Sequence, residues 1–449
     1  MSKTIIIIGA GLAGLSAALQ VAENGCNVKL VSSLPSERAQ SVMAEGGINA
    51  ALNTKDENDS PEEHFTDTIK AACGLADPNA VWGMTQAAPE LVHWLLKLGV
   101  KFNMSGYDDV DLRNFGGQKK KRTAFAQSDT GKQIMTAMID AVRRKEASGM
   151  VERFSHHSFL TLRLCGNICC GCVIRDEYSQ ETVELPGDAV IVATGGMHGL
   201  FGNTTGSLSN TGEVTAELFR LGVPLANGEM IQYHPTTVKC GGKRMLISEA
   251  ARGEGGRLFA MKDGKQWYFM EEKYPELGNL MPRDITAREI WKVSHESEVF
   301  LDMTEISEEI ISNKLSGLAD DCMTYLHKDI RKEPVSVLPG IHYFMGGILV
   351  DEQHRTPIQN LYAAGECCAQ YHGANRLGGN SLLGALYGGR VAAKSACEQA
   401  DVVDLSCATQ IDFPPASQIS EIKQLNKVMQ ETMGVVRNEN TLLNGIQTV

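Results

Sequence analysis

Three glycines near the start of the chain have the spacing of a phosphate-binding turn. Gly9, Gly11 and Gly14 follow the pattern Gly-x-Gly-x-x-Gly. In such a turn the first glycine permits a tight bend, the second lets backbone approach a pyrophosphate, and the third lets the next helix pack closely on the strand. Backbone N–H groups at the start of that helix favour a bound anion. The spacing therefore predicts a site for the phosphates of a dinucleotide.

The segments on either side of these glycines supply the elements that the motif needs. Residues 5–8 are four isoleucines, which are typical of a parallel strand buried on both faces. A small apolar helix follows and ends at Gly25, and residues 28–31 form a second strand. That strand ends in Ser32 and Ser33 instead of Asp or Glu, which weakens the case for NAD because no carboxylate is there to hold the ribose.

Two later segments repeat the order of strand, small residues and glycine. They are residues 188–196 and residues 361–366. Because parallel strands present their carboxyl ends at one edge of a sheet, we expect the ligand to lie where the three strands end.

The domain organisation follows from the stretch between the last two strands, which is richer in charge. We predict an α/β fold with a Rossmann-type dinucleotide-binding domain at residues 1–226 and 343–405. It is interrupted by an α+β capping domain at residues 227–342. Pro414 and Pro415 mark a linker, and residues 415–449 form a short helical C-terminal region.

The overall charge and composition exclude two classes of partner. The chain has 449 residues and a formal net charge of −12 at pH 7, with 43% hydrophobic and 21% charged residues. We expect no binding of nucleic acid or anionic membranes by so acidic a chain, and no transmembrane segment of its own. The run of basic residues at 119–122 is interpreted as a solvated face.

Four of the twelve cysteines cluster in sequence, at Cys165, Cys169, Cys170 and Cys172. They fall in residues 159–174, which read as a strand, a turn and a return strand. Side chains on a strand alternate between its two faces, so these thiols point apart. We interpret them as packing residues and expect no metal site.

Eight motifs in one order carry a family resemblance. The chain resembles the flavoprotein subunit of fumarate reductase and succinate dehydrogenase, with L-aspartate oxidase as a close relative, over nearly all of residues 4–400. The motifs are Gly-Ala-Gly-Leu-Ala-Gly at 9–14, Ala-Glu-Gly-Gly-Ile at 44–48, Ala-Thr-Gly-Gly at 193–196, Gln-Tyr-His-Pro-Thr at 232–236, Glu-Ala-Ala-Arg-Gly-Glu-Gly-Gly at 249–256, Pro-Arg-Asp at 282–284, His-Tyr-Phe-Met-Gly-Gly at 342–347 and His-Gly-Ala-Asn-Arg-Leu-Gly at 372–378.

The resemblance implies that the dinucleotide is FAD, bound by the interrupted domain. The cofactor-binding residues that it implies are Gly9, Ala10, Gly11, Leu12, Ala13, Gly14, Ser32, Ser33, Gln40, Ser41, Ala44, Glu45, Gly46, Gly47, Ala193, Thr194, Gly195, Glu213, Gly365, Glu366, Arg376, Ser381 and Leu382.

The resemblance also implies hydride transfer between flavin N5 and a C4-dicarboxylate bound beneath the cap. Arg376 and His342 match the residues that hold one carboxylate, and His234 and Ser248 match those that hold the other. Arginine suits this role because its guanidinium forks and stays charged.

The family's proton donor to the nascent carbanion is matched by Arg283, with Glu249 and Arg252 as the relay that resupplies it. An arginine acid needs such a relay because of its high pKa. Taken alone, His234 before a proline reads as a turn histidine, and Arg283 beside Asp284 as a surface ion pair. Together and in family order, the matches favour the functional interpretation.

Three departures from the family pattern bear on chemistry and partners. Gln40 stands where membrane-bound members carry the histidine that links to FAD, so we expect non-covalent FAD of lower potential, which favours fumarate reduction. Glu213 replaces the family's aspartate. The region after residue 437 is short, which leaves docking to an iron–sulfur subunit open. We expect a cytoplasmic protein, peripheral at the inner face of the membrane if such a partner binds.

The residues favour a fumarate reductase and leave two alternatives. L-aspartate oxidase has a glutamate for the substrate ammonium before the glycine pair, where this chain has Phe115 before Gly116. An aromatic ring does not pair with an ammonium group as a carboxylate does, so fumarate or succinate is favoured. A catalytically idle FAD-binding subunit is the other alternative, and retention of Arg283, His342 and Arg376 argues against it. The electron donor is a partner protein or a diffusible reductant.

Overall fold

The computed structural model describes residues 2–400 and 419–448. The predicted linker at Pro414 and Pro415, the end of the predicted dinucleotide domain at 401–405, and residues 415–418 and 449 lie outside the described residues.

Helices cover much of the described chain, and none of them there is both long and apolar enough to span a membrane. The predicted C-terminal helical region contains two of them, separated by residues 433–438. The helices are α1 (Leu12–Glu23), α2 (Pro61–Ala71), α3 (Pro78–Lys97), α4 (Thr130–Ala147), α5 (His198–Phe201), α6 (Glu213–Arg220), α7 (Glu249–Gly253), α8 (Phe269–Lys273), α9 (Arg283–Val293), α10 (Glu308–Lys314), α11 (Ser316–Asp321), α12 (Asn380–Gln399), α13 (Ile419–Thr432) and α14 (Glu439–Thr448).

The strands are mostly short. They are β1 (Thr4–Ile8), β2 (Asn27–Ser32), β3 (Ile48–Asn49), β4 (Leu112–Arg113), β5 (Thr123–Ala124), β6 (Val151–Ser155), β7 (His157–Cys165), β8 (Ile168–Asp176), β9 (Thr182–Pro186), β10 (Ala189–Val192), β11 (Leu225–Ala226), β12 (Ile231–Cys240), β13 (Lys243–Leu246), β14 (Arg257–Lys262), β15 (Lys265–Trp267), β16 (Val299–Asp302), β17 (Val335–Ser336), β18 (Leu338–Phe344), β19 (Gly347–Leu349), β20 (Leu361–Ala363) and β21 (Cys368–Ala369).

A five-stranded parallel sheet with the order β20-β10-β1-β2-β6 confirms the α/β prediction. The three strands predicted to end in small residues and glycine are β1, β10 and β20, and they are neighbours. Their carboxyl ends therefore lie side by side at one edge, where a ligand is expected.

The four isoleucines of β1 are buried because both faces of this sheet are covered. Ile5 and Ile7 belong to the core that contains α1, α4 and α12, and Ile6 and Ile8 belong to the core that contains β8. The alternation follows from the two-residue period of a strand. A continuous apolar run is therefore what this position requires.

Residues 231–344 hold two antiparallel sheets, β15-β14-β16-β17 and β13-β12-β18. A separate apolar core lies there, and Phe115 from outside the segment contributes to it. The predicted boundary at 342–343 falls inside β18. The division into two domains stays a prediction.

The predicted cysteine-rich hairpin is present as β7 and β8, with Cys169, Cys170 and Cys172 buried. Burial raises the pKa of the Cys169 thiol to about 12. Within the described part of the chain, no three potential metal-ligating His, Cys, Asp or Glu residues come together.

The solvated interpretation of residues 119–122 is wrong for Arg122. Lys119 and Lys121 are exposed, but Arg122 is completely buried. Its guanidinium pairs with Asp59 (Nη2–Oδ1, 2.8 Å) and with Asp67 (Nη1–Oδ2, 3.0 Å). The two carboxylates come from a segment more than fifty residues earlier in the chain, which the local charge pattern does not reveal.

Candidate active site

A cavity runs along the edge where β1, β10 and β20 end and continues to residues of the paired strands β12 and β18. The residues predicted to bind cofactor or substrate line it, with the exception of Gly14, and the predicted proton donor lines it too. The lining residues that were predicted to bind substrate or to act in catalysis are Phe115, His234, Ser248, Glu249, Arg283, His342 and Arg376. Arg252 and Gly14 do not line the cavity.

The glycine turn has the geometry that its sequence predicts. Gly9 has a φ of +110°, and a Cβ there would lie 2.2 Å from the carbonyl oxygen of Ala193 on the neighbouring strand end. A Cβ at Gly14 would lie 1.9 Å from the carbonyl oxygen of Gly9, so Gly14 permits helix packing and does not face the cavity. At Gly11 the nearest atoms to a Cβ are 3.8 Å away, which leaves the start of α1 open to a phosphate.

The end of β2 supports a dinucleotide of the FAD type. The Ser32 hydroxyl is buried and has no hydrogen-bond partner in the described chain. A buried polar atom without a partner is costly, and a ribose hydroxyl would satisfy it here. The residues present therefore fit the adenosine half of a dinucleotide without an acidic ribose ligand.

Several lining residues were missed by the sequence analysis. His157 and Phe159 lie just after β6, which is the fifth strand of the parallel sheet and ends at the same edge. Reading residues 151–155 as a strand would have located them. The other missed lining residues include Arg38, Asn210, Leu246 and Tyr343.

Three predicted catalytic residues form a buried ion cluster. Arg283, the first residue of α9, contacts Glu249 Oε2 through Nε at 2.8 Å and through Nη2 at 2.6 Å. Arg252 Nη2 lies 3.3 Å from Glu249 Oε1, and the backbone N–H of Gly116 donates to the same oxygen at 3.1 Å. Arg252 therefore contacts the cavity only through Glu249, and its Nη1 is held by the carbonyl of Asn279 at 2.5 Å.

The cluster keeps Glu249 ionised. Burial raises the pKa of its carboxyl, but Arg283, Arg252 and the hydrogen bonds together lower the pKa below its usual value. Two guanidinium groups share one carboxylate, so an excess positive charge faces the cavity.

Two imidazoles stand together beside this cluster. The rings of His234 on β12 and His342 on β18 have centroids 5.0 Å apart, because the two strands pair antiparallel. The hydroxyl of Thr205 lies 2.8 Å from His342 Nδ1. Burial and the positive charge of Arg283 lower the pKa of both imidazoles well below the usual value, so both are neutral.

Arg376 is a buried cation, and no carboxylate of the described residues lies within ion-pair distance of it. It is 3% exposed and makes no ion pair in residues 2–400 or 419–448. Its Nε has no hydrogen-bond partner there, and its guanidinium lies 4.5 Å from the centre of the Tyr343 ring. Burial and Arg283 lower the pKa of Arg376 to about 9, although the more distant charges of Glu366 and Glu249 act in the opposite direction. Such a group requires an anion.

Gln232 connects the two arginines that face the cavity. Its Oε1 accepts from Arg283 Nη1 at 3.1 Å, and its Nε2 donates to the carbonyl of Arg376 at 2.7 Å and to Asn375 Oδ1 at 2.8 Å. Gln232 begins the motif that contains His234, but its role is visible only in the structure.

The remaining two substrate predictions lie at the cavity wall. Ser248 caps α7, and its hydroxyl accepts from the N–H of Ala250 at 3.4 Å. Phe115 is buried, and its ring would lie 2.9 Å from a Cβ at either Gly46 or Gly378. The ring thus fixes the distance between two glycine segments of the wall.

Comparison with known proteins agrees with this geometry. A family described as FAD binding domain matches residues 4–382. The succinate dehydrogenase flavoprotein subunit of Bacillus subtilis is 43% identical over 413 residues, which cover 90% of this chain and 70% of that protein. The L-aspartate oxidase of Streptomyces coelicolor is 33% identical over 98% of this chain and 78% of that protein.

A solved structure of quinol fumarate reductase from E. coli is similar over 100% of this chain and 81% of that chain, with a TM-score of 0.90 and 27% identity. A family match over most of the chain and relatives above 30% identity agree with the glycine turn at the edge of the parallel sheet. The chain therefore belongs to the FAD-binding oxidoreductase family that contains the flavoprotein subunits of succinate dehydrogenase and fumarate reductase.

Proposed function

We propose that this flavoprotein reduces fumarate to succinate. The observation that carries the proposal is Arg376, a buried guanidinium that faces the same cavity as the dinucleotide turn and forms no ion pair with the part of the chain that the structure describes. An anionic substrate would supply the missing charge, and a carboxylate matches the two-pronged geometry of arginine.

Bound FAD would supply hydride chemistry, as the family's cofactor, at the junction of the glycine turn and the imidazole pair. Arg376 and His342 hold one carboxylate of the substrate. If the Thr205 hydroxyl donates to His342 Nδ1, then Nε2 carries the proton and donates to that carboxylate. His234 and the Ser248 hydroxyl hold the other carboxylate.

Arg283 gives a proton to the substrate carbon opposite the one that receives hydride. Its contacts with Glu249 and Gln232 fix the guanidinium. Once Arg283 has lost its proton, Glu249, which is ionised at rest, takes up a proton from Arg252 and passes it to Arg283, and Arg252 is reprotonated in turn from outside the cluster. Arg252 lies behind Glu249 and favours its ionised form. The capping-domain prediction belongs to the same proposal, since residues 227–342 supply His234, Arg283 and His342 on one side of the cavity.

The test is oxidation of a chemically reduced viologen dye by fumarate, catalysed by the FAD-loaded protein. We expect fumarate-dependent dye oxidation by the wild type, and none by Arg376→Met when rates are compared per bound FAD. A wild-type protein that holds FAD and leaves the dye reduced in the presence of fumarate would contradict the proposal.

We propose that FAD is held without a covalent bond, because Gln40 lines the cavity at the position of the family's linking histidine. Acid precipitation should release all the flavin into the supernatant. Yellow colour that remains with the denatured protein would contradict this.

Phe115 favours fumarate over L-aspartate as the substrate. Its buried ring offers no charge to an ammonium group. We expect no hydrogen peroxide from L-aspartate under oxygen, and peroxide formation at rates comparable to fumarate reduction would favour the oxidase instead.

An iron–sulfur protein, which the family resemblance implies as a partner, is the proposed source of electrons; the naming of relatives as flavoprotein subunits supports a protein partner. Mixing the purified protein with candidate reduced iron–sulfur proteins and fumarate tests this, with free reduced flavin as the alternative donor. Succinate formation with the flavin alone would indicate a diffusible reductant.

A further inference from the structure

The segment that carries Arg376 is built from residues with little conformational restraint. Gly378 and Gly379 follow the arginine, and Gly379 has a φ of +85°. Among the described residues, the guanidinium itself is held only by the Tyr343 ring and by a 3.5 Å contact of Nη1 with the carbonyl of Leu377. A glycine-rich segment needs an external support if it is to hold a cation at a fixed place.

Asn49 supplies that support through its side chain and its backbone. Its Nδ2 donates to the carbonyl of Gly378 at 2.7 Å and to Asn380 Oδ1 at 2.8 Å, and its backbone N–H donates to the carbonyl of Gly379 at 3.1 Å. Asn49 is completely buried. A Cβ at Gly379 would lie 2.1 Å from Asn49 Oδ1, so the absence of a side chain at position 379 leaves room for the Asn49 amide.

The amide oxygen of Asn49 connects to the segment that contacts Glu249. Asn49 Oδ1 accepts from Thr123 Oγ1 at 2.6 Å and from Gln118 Nε2 at 3.2 Å, and Gln118 Nε2 also donates to the carbonyl of Gly378 at 2.8 Å. Gln118 is two residues after Gly116, whose N–H contacts Glu249. One buried amide pair therefore joins the segment of Arg376 to the segment that contacts Glu249.

We propose that Asn49, assisted by Gln118, is a positioning residue that fixes Arg376 relative to the Glu249–Arg283 cluster. Neither side chain lines the cavity, so each acts through the segments it holds. The inference rests on the proposed function, because it assumes that Arg376 binds a dicarboxylate. The alternative is a purely structural role, since buried polar networks also stabilise cores.

The experiment measures malonate binding to the oxidised FAD-loaded protein by calorimetry. Malonate carries two carboxylates but lacks the two adjacent carbons that the redox reaction needs, so binding is separated from turnover. Asn49→Asp keeps the shape of the side chain but replaces both Nδ2–H donors with a carboxylate oxygen that faces two acceptors. We expect its malonate Kd to rise about tenfold or more, which equals about 1.4 kcal/mol, with the FAD content unchanged.

The matched control is Thr123→Val, which removes one hydrogen bond to the same amide and leaves both Nδ2–H donors in place. We expect its malonate Kd to stay within about threefold of wild type. Gln118→Met, of similar volume, should raise the Kd in the same direction as Asn49→Asp and by less. If Asn49→Asp does not fold or does not bind FAD, the malonate Kd of Gln118→Met tests the positioning role in its place.

Steady-state kinetics with fumarate provide the second readout. A positioning role predicts that KM rises more than kcat falls in both Asn49→Asp and Gln118→Met. A lower melting temperature with unchanged malonate Kd and KM in both variants would overturn the positioning role alone. A wild-type protein that binds FAD but neither malonate nor fumarate would overturn the proposed function, and the inference with it.

Discussion

Two buried arginines, Arg122 and Arg376, differ in how their charge is compensated. Arg122 is fully buried and has two carboxylate partners, Asp59 and Asp67, at 2.8–3.0 Å. Arg376 is almost as buried and has no carboxylate partner within the described ranges. Arg376 belongs to residues 376–380, and Arg122 is connected to the same segment through α2. Helix α2 carries both Asp67, which pairs with Arg122, and His64, whose Nε2 lies 2.9 Å from Asn380 Oδ1.

The difference separates a structural charge from a binding charge. An ion taken out of water costs several kcal/mol unless another charge and hydrogen bonds compensate it. The chain supplies that compensation for Arg122 from its own sequence. Within residues 2–400 and 419–448 no carboxylate pairs with Arg376, so a bound anion would complete the compensation, and the cost of burying Arg376 becomes affinity for that anion.

The Arg283–Glu249–Arg252 cluster stands between these two cases. Its carboxylate compensates only part of the positive charge. The cluster is thereby stable without substrate and still positive toward the cavity, which suits a group that binds and protonates an anion.

The largest expected effect is on stability. Arg122→Met leaves Asp59 and Asp67 as unpaired buried carboxylates, and should lower the free energy of unfolding by about 3–5 kcal/mol. Urea unfolding of the FAD-loaded protein measures this. Arg376→Met is the control and should leave the free energy unchanged or raise it, because an uncompensated charge is removed. An equal loss of unfolding free energy in the two variants would contradict the distinction between a structural charge at Arg122 and a binding charge at Arg376.

Next in size is the effect of Arg283→Lys on turnover. Lysine is shorter and does not fork, so the proton is misplaced, and kcat should fall at least about 100-fold while fumarate affinity changes little. Stopped-flow reduction of fumarate by the pre-reduced enzyme measures the step. Near-normal kcat with a collapse of fumarate affinity would mean that the acid and the carboxylate clamp have been assigned the wrong way round.

Arg376→Lys should act mainly on binding. It keeps the charge but loses the two-pronged contact, so malonate or fumarate affinity should fall about tenfold or more. Titration calorimetry measures the loss, and the melting temperature should remain close to that of wild type. An affinity equal to wild type would remove Arg376 from the substrate site.

A pH-dependent effect is expected at Glu45, a cavity carboxyl whose Oε2 is buried and has no hydrogen-bond partner in the described part of the chain. Burial, then Asp321 and Asp129, raise its pKa from 4.5 to about 8. Between these values the folded state binds more protons than the unfolded state, so stability falls as pH rises across that window. Melting temperatures at pH 5 to 8 should decline less for Glu45→Gln than for wild type.

Glu352→Gln, on the exposed surface, is the control for that pH series and should match wild type. A Glu45→Gln profile that is parallel to the wild-type profile would show that Glu45 does not hold its proton. Glu249, which two arginines keep ionised, is the compensated counterpart of Glu45.

The sequence determined the features that depend on local rules. Four consecutive isoleucines predict a strand buried on both faces, because side chains alternate along a strand and both faces of a parallel sheet are covered. The glycine spacing predicts the turn at Gly9, because only glycine tolerates its φ and the approach of the Ala193 carbonyl. The sequence motifs named most of the residues that line the cavity, and the structure brings those residues together.

Only the tertiary structure decided which charges are compensated. The basic run at 119–122 reads as solvated, yet Arg122 is buried because Asp59 and Asp67 reach it from a distant segment. The same holds for Asn49, which is an ordinary polar residue after a glycine pair until the fold brings Gly378 to it. Compensation of a buried group depends on partners far away in sequence, and a local pattern carries no information about them.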